Sequence, residues 1–475
     1  MKDKSHNLSD AGTSADAFST SGVASVESSL PPDSSWFAWI GEVSRYQWLV
    51  LLVAWLGWVF DSMDGTLYSL VQKPSITELM GPGATEAMIG NYSSIVFSLT
   101  LAGWALGGVI FGIIADYIGR TKALVTTILI YSLFTGLSAA ADTWWQLAIF
   151  RFITGIGLGG EWAAGAALVA EVWPDRLRAK AGAILQSAAA FGYFFAALIN
   201  LMVGVISWRY VFLVGAAPAL FVLIIRMIVK EPETWVEVRN RRKQIKEQGA
   251  TSSTDAQDLN TFTLKQLFGP RLRRDTIVAS SLAFVVLLVL WGATMWIPAA
   301  IREMAAASVS AQDTASQQRY LTAQASYGIM LLNGGSLFGY LLFGPVADRF
   351  GRRIAFLLYF VGGVIIFPVT FLATSNLTQI FVLLPIVGFF TLGITSGFPI
   401  YLPELFPTHV RTTGVGFAYN FGRIFTAAGV LVTGWLVGFF GSTAKAASAV
   451  SLFYVLGIVL LIFARETRGQ QLNQS

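Results

Sequence analysis

Five ionisable side chains interrupt otherwise apolar stretches of this 475-residue chain: Asp61, Asp64, Arg151, Glu161 and Arg423. A charge at the centre of an apolar layer costs about 2.5–3.5 kcal/mol on insertion scales, so it faces a partner or a cavity and has a use there. Asp61 and Asp64 are three apart and share a helix face. At about 1.5 Å per residue, Asp61 lies about 13 Å in from Leu70 and Arg151 about 10 Å in from Trp144, so these charges can meet. An acid pair beside one Arg leaves one carboxyl able to carry a proton. A static buried salt bridge is the competing reading. Glu161, within Gly155-Ile-Gly157-Leu-Gly159-Gly160-Glu161-Trp162, is a second proton candidate. The alternative for it is a hydrogen bond to a neighbouring helix. Its glycines let helices approach closely.

Arg423 lies about 16 Å into an apolar layer of about 30 Å. No acid falls within the apolar stretches of the second half of the chain to pair with it. Arg stays protonated and presents a fork that matches a carboxylate. An unpaired Arg at that depth suggests an anionic ligand, against a structural pairing with Asp61 or Glu161. Trp58, Gln186, Tyr193, Asn200, Trp291, Trp296, Asn333, Tyr419 and Asn420 supply polar and aromatic groups suited to a small polar solute. Packing explains most such aromatics taken singly. Asn333 and Asn420 are the better candidates, since an amide in mid-span needs a partner.

The elements that must hold these groups are membrane helices. The chain is 55% hydrophobic and 12% charged, with a mean hydropathy of +0.62, where soluble domains carry roughly 25% charge. Twelve apolar stretches of about 20 residues qualify as spans, at 48–70, 94–115, 122–141, 144–170, 181–206, 208–229, 276–300, 324–346, 354–374, 379–402, 413–437 and 446–464. Residues 1–35 are polar and Ser-rich, without a signal-peptide pattern, and are expected to be a disordered tail. Trp36, Phe37, Trp39 and Trp48 suit an interfacial approach to the first span. No Cys is present, and the two His, His6 and His409, leave no metal cluster. No cofactor is expected. The net charge of +5 belongs to basic loops rather than to a nucleic-acid surface. Most Lys and Arg fall on one side, leaving Lys73, Arg209, Arg302, Arg319 and Lys445 on the other. Both termini are then cytoplasmic.

The loops repeat. Gly112-Ile-Ile-Ala-Asp116-Tyr-Ile-Gly119-Arg120 follows span two and Gly344-Pro-Val-Ala-Asp348-Arg-Phe-Gly351-Arg352 follows span eight. Glu171-Val-Trp-Pro174-Asp-Arg-Leu-Arg178 and Glu404-Leu-Phe-Pro407-Thr-His-Val-Arg411 follow spans four and ten. The two Asp are 232 residues apart and the two Glu 233. The chain is therefore two six-helix halves in the same orientation, an all-α membrane fold with parallel repeats. Its parts are a tail (1–35), a first half (36–229), a linker (230–275), a second half (276–465) and a carboxyl tail (466–475). The basic run Arg239, Arg241, Arg242, Lys243 and Lys246 reads as a solvated linker, with anionic lipid as the other reading.

The pattern G-x-x-x-D-x-x-G-R-[RK] resembles the signature of the major facilitator superfamily, over residues 45–465. The resemblance implies alternating access, with two halves rocking about a central site. Asp116, Arg120, Glu171 and Arg178, with Asp348, Arg352, Glu404 and Arg411, are assigned to an inner gate. Anchoring at the membrane surface without gating is the alternative. Ala54-Trp55-Leu56-Gly57-Trp58-Val-Phe-Asp61-Ser-Met-Asp64 is similar to the first-span string of the sialate:proton symporter family. Gly159-Gly160-Glu161-Trp162, Glu231-Pro232-Glu233-Thr234-Trp235 and Tyr419-Asn420-Phe421-Gly422-Arg423 are similar to strings in that family and its organic-acid relatives. Sialic acid members carry two extra helices mid-chain, whereas 230–275 is polar here. That weighs against sialic acid and leaves a smaller carboxylate open. Residues 185–197 lack the Gly-Pro motif of drug antiporters.

The resulting expectation is a carrier, not an enzyme: proton-coupled uptake of a small organic anion, such as a monocarboxylate or sugar acid. It is expected to be a functional monomer in a bacterial inner membrane. Arg423, Asn420, Tyr419, Asn333, Gln186, Tyr193 and Trp296 are the expected substrate contacts, and Asp61, Asp64, Glu161 and Arg151 the coupling groups. The rivals are a proton-independent facilitator of neutral sugars or polyols and an organic-cation carrier.

Overall fold

Apolar runs with polar caps fold as helices along the chain. In this computed structural model the described residues are 38–204, 206–218, 225, 229–248, 261–307, 314–470 and 472, and no strand occurs among them. The first half holds α1 (Arg45–Met80), α2 (Glu86–Ile118), α3 (Arg120–Ser138), α4 (Trp144–Val172), α5 (Arg178–Ile199) and α6 (Trp208–Gly215). Between the halves lie α7 (Glu233–Gln248) and the short α8 (Thr263–Leu267). The second half holds α9 (Arg273–Gly292), α10 (Ile297–Ala307), α11 (Thr314–Phe350), α12 (Arg352–Leu372), α13 (Leu377–Thr391), α14 (Gly397–Leu405), α15 (Arg411–Phe440), α16 (Thr443–Ser451) and α17 (Phe453–Leu460).

Side-chain caps start several of these helices. Ser44 forms a capping box with Gln47, and Thr85, Thr143 and Asn376 each accept from a backbone N–H of the first turn. The loop-motif glycines end one helix and begin the next. Gly119 has φ +117° and Gly351 φ +98°, a backbone shape that a side chain disfavours. The abrupt turn brings Arg120 and Arg352 back over the helix ends that precede them.

Among the described residues, nine helical segments are long and apolar enough to cross a membrane. The expected fifth and eleventh spans are also helical, as α5 and α15, and α6 covers the start of the sixth. Most of the rest of 208–229 lies outside the described residues, as do residues 1–37 and 249–260. Residues 38–42 form a 3-10 helix of their own. Leu133, Phe194, Phe338 and Val382 are more than half exposed. Such an apolar exterior suits lipid.

Element ends differ from the hydropathy reading where packing overrides it. Helix α1 continues past Leu70 because Val71 and Ile76 are buried in a core cluster with Trp208 and Phe212. The tenth span is two helices, α13 and α14, joined by a 3-10 turn at Gly393–Ser396. There Ser396 Oγ donates to the Tyr340 carbonyl at 3.0 Å. The two halves meet along two seams, α2 against α15 and α5 against α11. The seams have equivalent places in the two halves, as the repeat demands.

Candidate functional site

The buried charges divide into one closed pair and one open group. Arg151 Nη2 lies 2.9 Å from Asp64 Oδ2, with both side chains fully buried. Thr135 Oγ1 donates to Asp64 Oδ1 at 2.7 Å, and the guanidinium sits over the rings of Tyr68 and Phe212. The expected meeting of Asp61 with Arg151 is therefore corrected. Asp64 takes that partner because Thr135 of α3 and Arg151 of α4 both converge on it. This is a fully buried ion pair within one half.

Asp61, also fully buried, has no hydrogen-bond partner on either carboxylate oxygen. Its electrostatic neighbours are Glu161, Arg423 and Asp64. Glu161 is buried, and its Oε2 has no partner. Its carboxyl rests on α1: a Cβ at Gly57 would stand 2.2 Å from Glu161 Oε1. The Gly-rich stretch around Glu161 does bring helices together, since a Cβ at Gly159 would stand 1.9 Å from the Trp104 carbonyl oxygen on α2.

Arg423 lies across the seam from these acids. Among the described ion pairs, no carboxylate comes within 4.0 Å of it. Its Nη1 donates to Asn420 Oδ1 at 3.0 Å, and its guanidinium carbon covers the Trp104 ring at 4.1 Å and the Tyr419 ring at 5.3 Å. Its Nε has no partner. Tyr419 stacks on Trp162 of the other half, with ring centroids 4.1 Å apart and planes at 22°. Trp58 is tilted against Trp162. Asn420 Nδ2 donates to the Gly416 carbonyl, and its amide occupies the space a Cβ at Gly108 would fill. Tyr193 feels Tyr419, Arg423 and Asp61 electrostatically.

The remaining candidates are less tightly tied to this group. Gln186 Nε2 donates to Thr395 Oγ1 at 3.3 Å, bridging the halves, while its Oε1 is orphaned. Asn333 turns its Nδ2 onto the Ile329 carbonyl of its own helix, 2.9 Å away, and leaves Oδ1 unpartnered. Trp296 sits in the turn between α9 and α10 with an orphaned Nε1. The indole N–H groups of Trp58, Trp104 and Trp162 are orphaned as well. Buried polar atoms normally have partners. Near the unpartnered Arg423 Nε and the Asp61 carboxylate, these orphaned atoms form the largest departure from that rule in the candidate site.

On the face that carries the loop motifs, the eight repeated residues assemble into two matching tetrads. In one, Arg120 contacts Asp116 at 3.2 Å and Glu171 at 3.0 Å, while Arg411 crosses from the second half to Glu171 at 2.7 Å. In the other, Arg352 contacts Asp348 at 3.3 Å and Glu404 at 2.8 Å, while Arg178 crosses from the first half to Glu404 at 3.5 Å. Each tetrad takes Asp, Arg and Glu from one half and a second Arg from the other. Asp116 also accepts from the backbone N–H groups of Thr412 and Thr413 and from Thr413 Oγ1. At the matching seam Asp348 faces Lys180 at 3.7 Å. The seam is closed on this face.

Sequence reasoning missed three parts of the assembly. Trp104 is not among the sequence candidates, because only the fold sets it under Arg423. Glu231 accepts from the backbone N–H groups of Thr121 and Lys122 at the start of α3, and Glu466 does the same for Arg352 and Arg353 at the start of α12. The Glu-Thr shared by 233–234 and 466–467 aligns Glu466 with Glu233 rather than with Glu231, so the sequence offered no signal for this pair of contacts. The linker, expected to be solvated, instead contains a docked helix. Trp235 Nε1 and Arg242 Nη1 donate to the Asp116 carbonyl, and Arg242 Nη2 donates to the His409 carbonyl, so α7 ties one half to the other.

Two similar helical halves in an apolar exterior, ion-paired across one face with unsatisfied charges buried between them, define a membrane carrier. The chain belongs to the sugar (and other) transporter family, whose profile matches residues 66–475, and it has the major facilitator fold of twelve helices in two halves. It is a transporter and not an enzyme. It is 31% identical over 441 residues to a probable 4-methylmuconolactone transporter of Cupriavidus pinatubonensis, covering 91% of this chain and 94% of that one. It is 29% identical over 420 residues to the sialic acid transporter NanX of Escherichia coli, covering 88% and 93%. Among solved structures, the proton:xylose symporter XylE bound to 6-bromo-6-deoxy-D-glucose superposes with a TM-score of 0.73 at 20% identity, covering 90% of this chain and 98% of that one.

Proposed function

We propose that this carrier takes up a small organic anion together with a proton by alternating access. The observation that carries the reading is Arg423: buried between the halves, held by Asn420 and Trp104, with its Nε unpartnered and no carboxylate within 4.0 Å among the described ion pairs. A carboxylate of the solute supplies the missing acceptor. The aromatic side chains of Trp104, Trp162 and Tyr419 favour a solute with a flat or apolar body. The relatives named for 4-methylmuconolactone and sialic acid support an organic acid.

Charge counting gives the coupling. Asp64 and Arg151 neutralise each other, which leaves Asp61, Glu161 and Arg423. With one proton on the acids, the empty site sums to zero. A bound anion cancels Arg423 and removes the counter-charge of the ionised acid. A second proton then restores neutrality, and buried net charge is what a membrane protein avoids. Each anion thus moves with one proton, and both the empty and the loaded carrier cross without net charge.

The basic face is the cytoplasmic one in this reading, with both termini inside, and the two tetrads form its gate. The described conformation is then closed inward. The carrier works as a monomer in the bacterial inner membrane. A facilitator of neutral sugars would need Arg423 tied into a structural ion pair, and a cation carrier would be opposed by it.

The test is uptake into proteoliposomes. An inward proton gradient should accelerate accumulation of the transported acid at constant membrane potential. A rate indifferent to a protonophore under that clamp removes the proton from the mechanism. The solute itself is found by a thermal-shift screen of lactate, benzoate, sialic acid and xylose on purified protein, because a ligand stabilises the state it binds.

A further inference from the structure

Gly57 has no side chain where Glu161 needs room, and that vacancy is specific. A Cβ at Gly57 would stand 2.2 Å from Glu161 Oε1 and 3.2 Å from its Cδ. Ordinary contact begins near 3.4 Å, so a methyl there displaces the carboxyl by more than an ångström. The backbone of α4 has no freedom to retreat. Cβ atoms at Gly159 and Gly160 would stand 1.9 Å from the Trp104 carbonyl oxygen and 2.3 Å from Phe111 Cβ. The next residue, Trp162, is pinned between Trp58 and Tyr419. The flexible end of the Glu161 side chain is what yields most cheaply.

Gly57 is also one helical turn from Asp61, so both lie on one stripe of α1 about 6 Å apart along the axis. We propose that Gly57 is a positioning residue: its missing side chain seats the Glu161 carboxyl beside Asp61, so that the two acids share and exchange protons as one unit. Like charges held together in a dry site do not ionise independently. The other ionisable groups in the electrostatic surroundings of this pair are Asp64 on α1, Tyr131 on α3, Tyr193 on α5, and Tyr419 and Arg423 on α15. None of them fills the socket. The proposal rests on the proton-symport reading and adds to it the residue that sets how the acids are linked.

Infrared difference spectroscopy of the purified full chain, titrated between about pH 4 and 9, reads protonated carboxyls without any solute. Asp61→Asn and Glu161→Gln assign the bands. With Gly57 intact, Glu161→Gln should shift the midpoint of the Asp61 band, because the acids interact. Gly57→Ala should shift both midpoints by about one pH unit or more, and should make the Asp61 band indifferent to Glu161→Gln. If Gly57→Ala does not fold, Glu161→Asp alone withdraws the carboxyl from the socket without added bulk and should produce the same shift. Midpoints unmoved by these variants overturn the proposal and leave proton symport standing. The absence of any titrating band removed by Asp61→Asn or Glu161→Gln overturns both.

Discussion

Glu171 and Arg411 belong to different halves of the chain and meet at 2.7 Å with both side chains fully buried. The same carboxylate is already held by Arg120 of its own half, at 3.0 Å. Closure of the basic face therefore consists of adding one inter-half Arg to an acid that is already paired.

Asp116→Asn should slow transport severely while leaving solute affinity within a few-fold of wild type, since Asp116 lies at the closed face and away from Arg423. An amide keeps the shape but replaces one of the two oxygens that Thr412 and Thr413 donate to with an NH2 group, and removes the charge facing Arg120. Asp348→Asn should be milder, because Asp348 is partly exposed and its cross-seam partner is Lys180 at 3.7 Å. Uptake rates beside thermal-shift binding curves separate the two effects. Total loss of binding in a folded Asp116→Asn protein would place this residue in the solute site.

Arg423→Lys keeps the charge and loses the planar fork, so binding of the transported acid should weaken about ten-fold or more if the contact is bidentate. Arg423→Gln should abolish binding of the acid yet retain weak binding of its neutral amide. A purely structural Arg would lose acid and amide alike and lower expression. Isothermal titration of acid and amide on each variant decides, and unchanged affinity in folded Arg423→Gln rules out the clamp.

The two first-span acids should behave oppositely. Asp64→Asn breaks a buried pair and leaves Arg151 uncompensated, a change that costs about 3–5 kcal/mol. Asp61→Asn removes an acid that has no hydrogen-bond partner, so it should fold normally and lose proton coupling. Melting curves should rank Asp64→Asn far below Asp61→Asn. Equal melting temperatures would mean that the Asp64–Arg151 pair contributes nothing.

That division was only partly legible in the sequence. Spacing puts Asp61 and Asp64 on one face of α1 but does not say which of them turns toward Arg151. The answer depends on Thr135, a residue with no motif and on a third helix. The tetrads were legible as a set of eight because the loop repeats itself, yet their crossed wiring, Arg411 to Glu171 and Arg178 to Glu404, needs the fold. The docking of α7 was hidden for a different reason. Its anchors, Trp235 and Arg242, grip backbone carbonyls, and a carbonyl leaves no trace in the residue pattern.

His409 gives a pH dependence of stability that is separate from coupling. It lies outside the spans, buried near Arg242, Arg271, Arg411 and Arg120, with its Nε2 2.8 Å from Gln266 Oε1. Burial first, and then these cations, lower its pKa from the usual 6.5 to about 4. Between those values the unfolded chain binds the proton and the folded chain does not. The stability is thus fully present above about pH 6.5 and is lost as pH falls toward 4, by up to about 3 kcal/mol. His409→Gln should flatten that part of the melting-temperature profile. A profile unchanged by the substitution would assign the acid sensitivity to other groups.

The doubled grip on Glu171 and Glu404 shapes what happens when the halves part. Arg411 and Arg178 leave with their own halves, while Arg120 and Arg352 stay with theirs. No acid is stranded without a counter-ion, which is the costliest way to break a buried pair. The two departing guanidiniums move into a widening gap that water can enter. In the proposed cycle the joint is then a fastener rather than a weld, one that can be undone and remade without stranding an acid.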